Sequence, residues 1–180
     1  MRLLERIREF QKFLYQTGLA QGVLALPAPS LLALPAPSAA DLELDIIFDR
    51  VVEESEIVQV SRDLFDSGHY NIAVHEAFKA VDNFIQLRVS EHHLSGTKLM
   101  DQVFSPNDPK LVWSARKTLT QKDQQAGYHR LFSGAMLGIR NPTGHAFDWI
   151  DEPEEALECI VFAQHLLRKA KAAVAASSPS

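Results

Sequence analysis

The chain has 180 residues, 46% of them hydrophobic and 23% charged, with a net charge of −5. That is enough for one domain with a buried core, and the acidic balance excludes a protein that coats nucleic acid through bulk positive charge. The single cysteine, Cys159, excludes an intramolecular disulfide and a multi-cysteine metal site, in keeping with a reducing, cytoplasmic setting.

Residues 1–17 read as an amphipathic helix, with Leu3, Leu4, Ile7, Phe10, Phe13 and Leu14 at helical spacing. Charges run through it, so it is neither a signal peptide nor a membrane span. Residues 18–40 form a linker carrying Leu-Ala-Leu-Pro-Ala-Pro-Ser twice, at 24–30 and 32–38. Its four prolines favour extended backbone. The domain proper is expected over 41–176, with a frayed tail at 177–180.

Within the domain, 42–67 reads as one or two helices on Leu44, Ile47, Phe48, Val51, Val58, Leu64 and Phe65. From His69 to Val89 an uninterrupted helix places Tyr70, Ala73, Val74, Ala77, Val81, Phe84 and Leu87 on its apolar side, with His75, Lys79, Asp82 and Asn83 opposite. A short helix over 97–104 follows Ser95-Gly96. Lys110 to Lys122 is polar around Leu111, Val112 and Trp113. Helical periodicity returns from Gln124 to Ile139 through Tyr128, Leu131, Phe132, Ala135, Met136 and Ile139. Gly127, Gly134 and Gly138 weaken that helix by about 1 kcal/mol each, which close packing against a neighbour or a twofold mate would offset. Asp151-Glu152-Pro153-Glu154-Glu155 starts the last helix, expected to run to about Ala173.

Between these two helices lies Ile139-Arg140-Asn141-Pro142-Thr143-Gly144-His145. Arginine offers a planar donor fork to phosphate, and histidine moves protons near neutral pH. Because Asn141 precedes proline, it is expected outside the α region, with the helix ending near Arg140. The stretch from Lys110 to His145 carries a net +5, six cations against Asp123, whereas Asp41 to Asp66 carries −7.

Arg140-Asn141-x-x-x-His145 resembles the signature of HEPN-domain proteins. Three further stretches accompany it: Phe65-Asp66-Ser67-Gly68-His69-Tyr70 with Ala73-Val74-His75-Glu76-Ala77-Phe78, Gly96-Thr97-Lys98-Leu99-Met100, and Leu131-Phe132-Ser133-Gly134-Ala135. Together they resemble the Ymh family of small bacterial and phage proteins, grouped with the HEPN superfamily, over about 51–171. The resemblance implies an all-α, HEPN-like four-helix bundle, here with an added N-terminal helix on a proline-rich linker, that pairs as a homodimer.

It further implies a metal-independent endoribonuclease, a toxin or phage-defence effector. Its catalytic residues would be Arg140, His145 and Asn141, its products a 2′,3′-cyclic phosphate and a 5′-hydroxyl. Glu76, Lys98, Arg130 and Thr143 are supporting or substrate-binding candidates, with Glu76 a possible ion-pair partner for Arg140. RNA is the expected substrate, an antitoxin or defence-system protein a possible partner. No cofactor or membrane is expected, and no metal either, since His69 and His75 are six apart and sit on different faces. Trp113 and Trp149 fit base stacking or packing. The alternative is a non-catalytic HEPN module binding a nucleotide, RNA or a protein.

Overall fold

A computed structural model of the protein describes residues 39–146 and 148–176. The expected helix at 1–17, the linker up to residue 38 and the tail at 177–180 lie outside the described residues. The fold is all-α apart from one short strand pair. In chain order the elements are α1 (Ala39–Val51), α2 (Ser55–Asp66), α3 (Tyr70–Val89), α4 (Gly96–Val103), β1 (Leu111–Val112) and α5 (Leu119–Ala135). A π-helical turn (Met136–Arg140), α6 (Asn141–His145), α7 (Pro153–Ala172) and β2 (Val174–Ala175) complete it. None of the described helices is long and apolar enough to cross a membrane.

Helix α3 is the axis. It packs between α2 and α7, and its remaining side meets α4, the π turn and α6. Ala73, Val74, Ala77, Phe78, Val81 and Ile85 are buried along it. They join Phe48, Phe65, Leu99, Met100, Phe104, Phe132, Met136, Ile160, Leu166 and Leu167 in one core. Truncating a fully buried phenylalanine such as Phe78 would cost about 3–5 kcal/mol. Phe104 stacks on Phe132 at 4.4 Å and on Trp113 at 5.0 Å, so Trp113 is a packing residue whose Nε1–H donates to the Lys169 carbonyl at 2.8 Å. Trp149 instead stands exposed.

Four of the expected core positions are corrected: Ile47, Val51, Leu87 and Leu131 face solvent. Val174, just beyond α7, lies in β2 and is exposed as well. Strand β1 pairs antiparallel with β2 in the register Leu111↔Ala175, Val112↔Val174, so Lys110 to Val112 tie down the chain after α7. Helix α5 starts at Leu119, five residues before the expected Gln124. Thr118 and Gln121 form a capping box there: the threonine hydroxyl accepts the Gln121 N–H and the glutamine side chain accepts the Thr118 N–H.

The α1–α2 break is held by one side chain. Gln164 of α7 accepts the N–H groups of Glu53 and Glu54 at 2.6 and 2.9 Å and donates to the Val51 carbonyl at 2.6 Å. Beside it, Arg168 pairs with Glu53 and Glu54, and Lys171 with Glu54 and Glu56. Arg62 draws Asp45 and Asp49 of α1 onto α2. The acid excess of the first two helices is thus partly spent on internal cross-links.

Candidate functional site

The chain does not leave helical geometry at Asn141. That residue has φ −66° and ψ −49°, and its N–H reaches back five residues to the Met136 carbonyl. In a regular α-helix the ring of Pro142 would strike the carbonyl of Gly138. One wider π turn before the proline relieves that contact without ending the helix, which corrects the expectation of a break at Arg140. Helix α6 then runs five residues and closes with the Ala146 N–H on the Pro142 carbonyl at 2.8 Å.

Carbonyls freed by the irregular ladder find side-chain donors. Buried Thr143 turns its hydroxyl to the Ile139 and Arg140 carbonyls at 2.9 and 3.0 Å. His75 of α3 places Nδ1 3.2 Å from the Arg140 carbonyl. A carbonyl only accepts, so a hydrogen bond here requires the tautomer with the hydrogen on Nδ1; the Thr143 hydroxyl lies 3.4 Å from the same nitrogen. Asn71, one turn earlier, donates from Nδ2 to the Thr143 and Ala146 carbonyls at 3.0 and 2.8 Å. Gly144 lies against the His75 ring so closely that a Cβ there would fall 2.8 Å from Cε1. The imidazole therefore fills the space a side chain at 144 would take.

The Arg140 side chain turns inward, 21% exposed, with Nη2 3.5 Å from Oδ2 of Asp82, itself 1% exposed. The other Asp82 oxygen accepts the Gly96 N–H at 2.8 Å. Gly96 has φ +59°, and a Cβ on it would sit 3.4 Å from Arg140 Nη1. Burial pushes the Asp82 carboxyl above its ordinary pKa, against the pull of the Gly96 N–H and the arginine charge. Arg140 Nε is buried with no acceptor.

The expected residues separate as follows. Arg140, Asn141, Thr143 and His145 share the π turn and α6, but no hydrogen bond or ion pair joins their side chains except through backbone carbonyls. The guanidinium faces α3 and α4, whereas His145 is exposed and no described residue holds its ring. Glu76 is corrected: it binds Lys79 at 2.9 and 3.0 Å, and the carboxylate opposite Arg140 is Asp82. Thr143 supports the backbone from a buried position. Lys98 and Arg130 are exposed on α4 and α5 and make no ion pair with a described residue.

Sequence reasoning missed Asn71 and Asp82 and assigned His75 to the solvent side of α3. The signal was the spacing: Asn71, His75 and Asp82 recur at four- and seven-residue steps, which is one helix face. That face meets the motif.

A family model described as a protein of unknown function, Hypoth_ymh, matches residues 53–170, and the chain belongs to that family. No curated protein and no solved structure matches. The matched span runs from the α1–α2 break to nearly the end of α7, and so contains Asn71, His75, Asp82, Gly96 and the whole motif.

Proposed function

We propose that the chain is a metal-independent endoribonuclease of the HEPN type, a toxin or phage-defence effector acting as a homodimer with a site shared between two copies. The anchoring of Arg140 carries this reading. A buried carboxylate holds the guanidinium, and the same segment offers an unheld histidine one short helix later. Arg140 would neutralise the charge that builds on the scissile phosphate. His145 would move the proton, taking it from the ribose 2′-hydroxyl or giving it to the leaving 5′-oxygen. Asn141, half-buried between them in sequence, would hold a phosphate oxygen. The 2′-oxygen attacks phosphorus and the bond to the 5′-oxygen breaks, leaving a 2′,3′-cyclic phosphate and a 5′-hydroxyl.

Two surface features support the shared site and the substrate. Leu131 and Leu137 are exposed, and added Cβ atoms at Gly127, Gly134 and Gly138 would meet nothing within 4 Å. The described part of the chain does not supply the close packing these glycines call for, and a second copy would. Lys98, Lys117, Lys122 and Arg130 make no ion pair with a described residue, whereas Arg62, Arg168 and Lys171 all do. Cations without protein counter-charges are the ones available to an RNA backbone.

The test is cleavage of a labelled RNA in excess EDTA by wild type, Arg140→Lys and His145→Gln, each verified as folded by circular dichroism and sized by light scattering. Cleavage by wild type alone, leaving cyclic-phosphate ends, is the expected result. Failure across several RNAs sinks the nuclease reading. The Asp82–Arg140 pair favours one other reading, a binding module whose arginine serves structure. That reading predicts RNA or nucleotide retention without cleavage.

A further inference from the structure

Arg140 is more constrained than a phosphate-binding arginine at a surface needs to be. Its Nε is enclosed and has no acceptor, so the Nε edge of the guanidinium is closed to a ligand. The side chain keeps 21% of its surface, and Nη1, which has no hydrogen-bond partner, is not enclosed, so the accessible part of the fork lies at its Nη end. Asp82 takes up Nη2 from one side at 3.5 Å. Gly96 lies on the Nη1 side, where a Cβ would come into contact at 3.4 Å. The Gly96 N–H fixes the carboxylate in turn at 2.8 Å.

Asp82 and Gly96 come from different elements, the middle of α3 and the first residue of α4, and close on one another as well as on the arginine. Left-handed backbone at Gly96 is readily taken by glycine and strained for other residues. The three residues form a small frame whose variable member is the arginine side chain, with four rotatable bonds. An arginine held in one rotamer presents both Nη groups in a fixed plane, which is what two oxygens of a phosphodiester require.

We propose that Asp82 is the positioning residue of this site: it holds Arg140 so that the Nη1–Nη2 end of the guanidinium receives a phosphate oxyanion end-on. The identity of that phosphate as part of an RNA rests on the nuclease reading above; the positioning does not. Asp82 itself stays off the ligand, because its two oxygens are already committed and a carboxylate repels an anion.

The experiment follows the Arg140 Nε–H signal of the full ¹⁵N-labelled chain by NMR while inorganic phosphate is added. Arg140→Lys identifies the signal. Wild type is compared with Asp82→Asn, which removes the charge but keeps an acceptor for Gly96. It is also compared with Asp82→Glu, which keeps the charge but moves the carboxylate by one methylene. The expected result is a saturable shift in wild type and a loss of phosphate affinity in both variants of about tenfold or more, the worth of one charge-assisted hydrogen bond.

RNA cleavage on the same samples separates the two claims. Wild type that cleaves nothing, with phosphate binding still lost in both variants, ends the nuclease reading and supports the positioning role. Unchanged phosphate affinity in Asp82→Asn and Asp82→Glu overturns the positioning role, as does an Arg140 signal that phosphate never moves. Should Asp82→Asn fail to fold, Asp82→Glu decides alone.

Discussion

Replacing Arg140 by alanine removes the counter-charge of a buried carboxylate. Asp82 is 1% exposed, and without the arginine its only described polar partner is the Gly96 N–H. Breaking a buried pair by deleting one member costs about 3–5 kcal/mol; the 3.5 Å separation and the 21% exposure of Arg140 put this case near the lower end, about 3 kcal/mol. For a domain of this size that is a fall in Tm of roughly 6–12 °C. The loss depends on pH in a definite direction. Burial already raises the Asp82 carboxyl in the folded state, and removing Arg140 takes away one of the two influences that lower it. A carboxyl whose folded pKa lies above its unfolded value binds more protons when folded, so stability falls as pH rises from about 3.9 toward the folded pKa, then levels off. Arg140→Ala should therefore be close to wild type near pH 4 and clearly weaker at pH 7. Adding Asp82→Asn should recover most of the deficit, since a neutral amide needs no counter-charge. Thermal and urea melts followed by circular dichroism at both pH values test this. A melting point within ~2 °C of wild type at pH 7, or an equal deficit at both pH values, refutes the reasoning.

Gly144→Ala puts a Cβ 2.8 Å from the His75 ring, and urea melts should show a loss of about 1–3 kcal/mol that His75→Ala relieves in the double variant. Hydrogen bonding to Lys171 holds the Glu54 and Glu56 carboxyls below the ordinary range. Their contribution is complete above the unfolded pKa and lost as pH falls through the folded values, so wild-type Tm should drop in acid and Lys171→Met should flatten that drop. Burial, then Glu155 and Glu158, pushes the Cys159 thiol up to about 11, so a disulfide reagent at pH 8 should label it at least ~100-fold more slowly than a free cysteine peptide. Labelling at the peptide rate would show that α7 opens there.

What could be read from the sequence followed from repetition. Helix α3 carries twenty residues without glycine or proline, and α7 announces itself through Pro153 with acids in its first turn. Both lie close to where periodicity puts them. The start of α5 was equally legible in Thr118-x-x-Gln121 but is hidden among polar residues, because its first two turns bury nothing until Gln125. The π turn was not legible by local rules. The residue before proline avoids the α region on average, yet Asn141 takes it because tertiary donors on α3 satisfy the carbonyls of this segment.

Asp82 shows why the site itself was only half visible. Binary patterning assigns a polar residue on a helix to solvent, and α3 has two buried faces, one apolar and one carrying Asn71, His75 and Asp82. A polar residue pays for burial only with a partner. The partners here lie between 14 residues away, for Gly96, and 75, for the Ala146 carbonyl that Asn71 holds. No window along the chain contains both ends. Arg140 and His145, by contrast, are five apart, which in regular helix geometry turns them about 140° from one another. That spacing already argues that one chain offers the two groups in different directions, and the inward guanidinium and exposed imidazole are arranged that way. A phosphate gripped by Arg140 would then meet its proton donor most readily on a second copy, so the spacing that weakens a one-chain active site is an argument for a shared one.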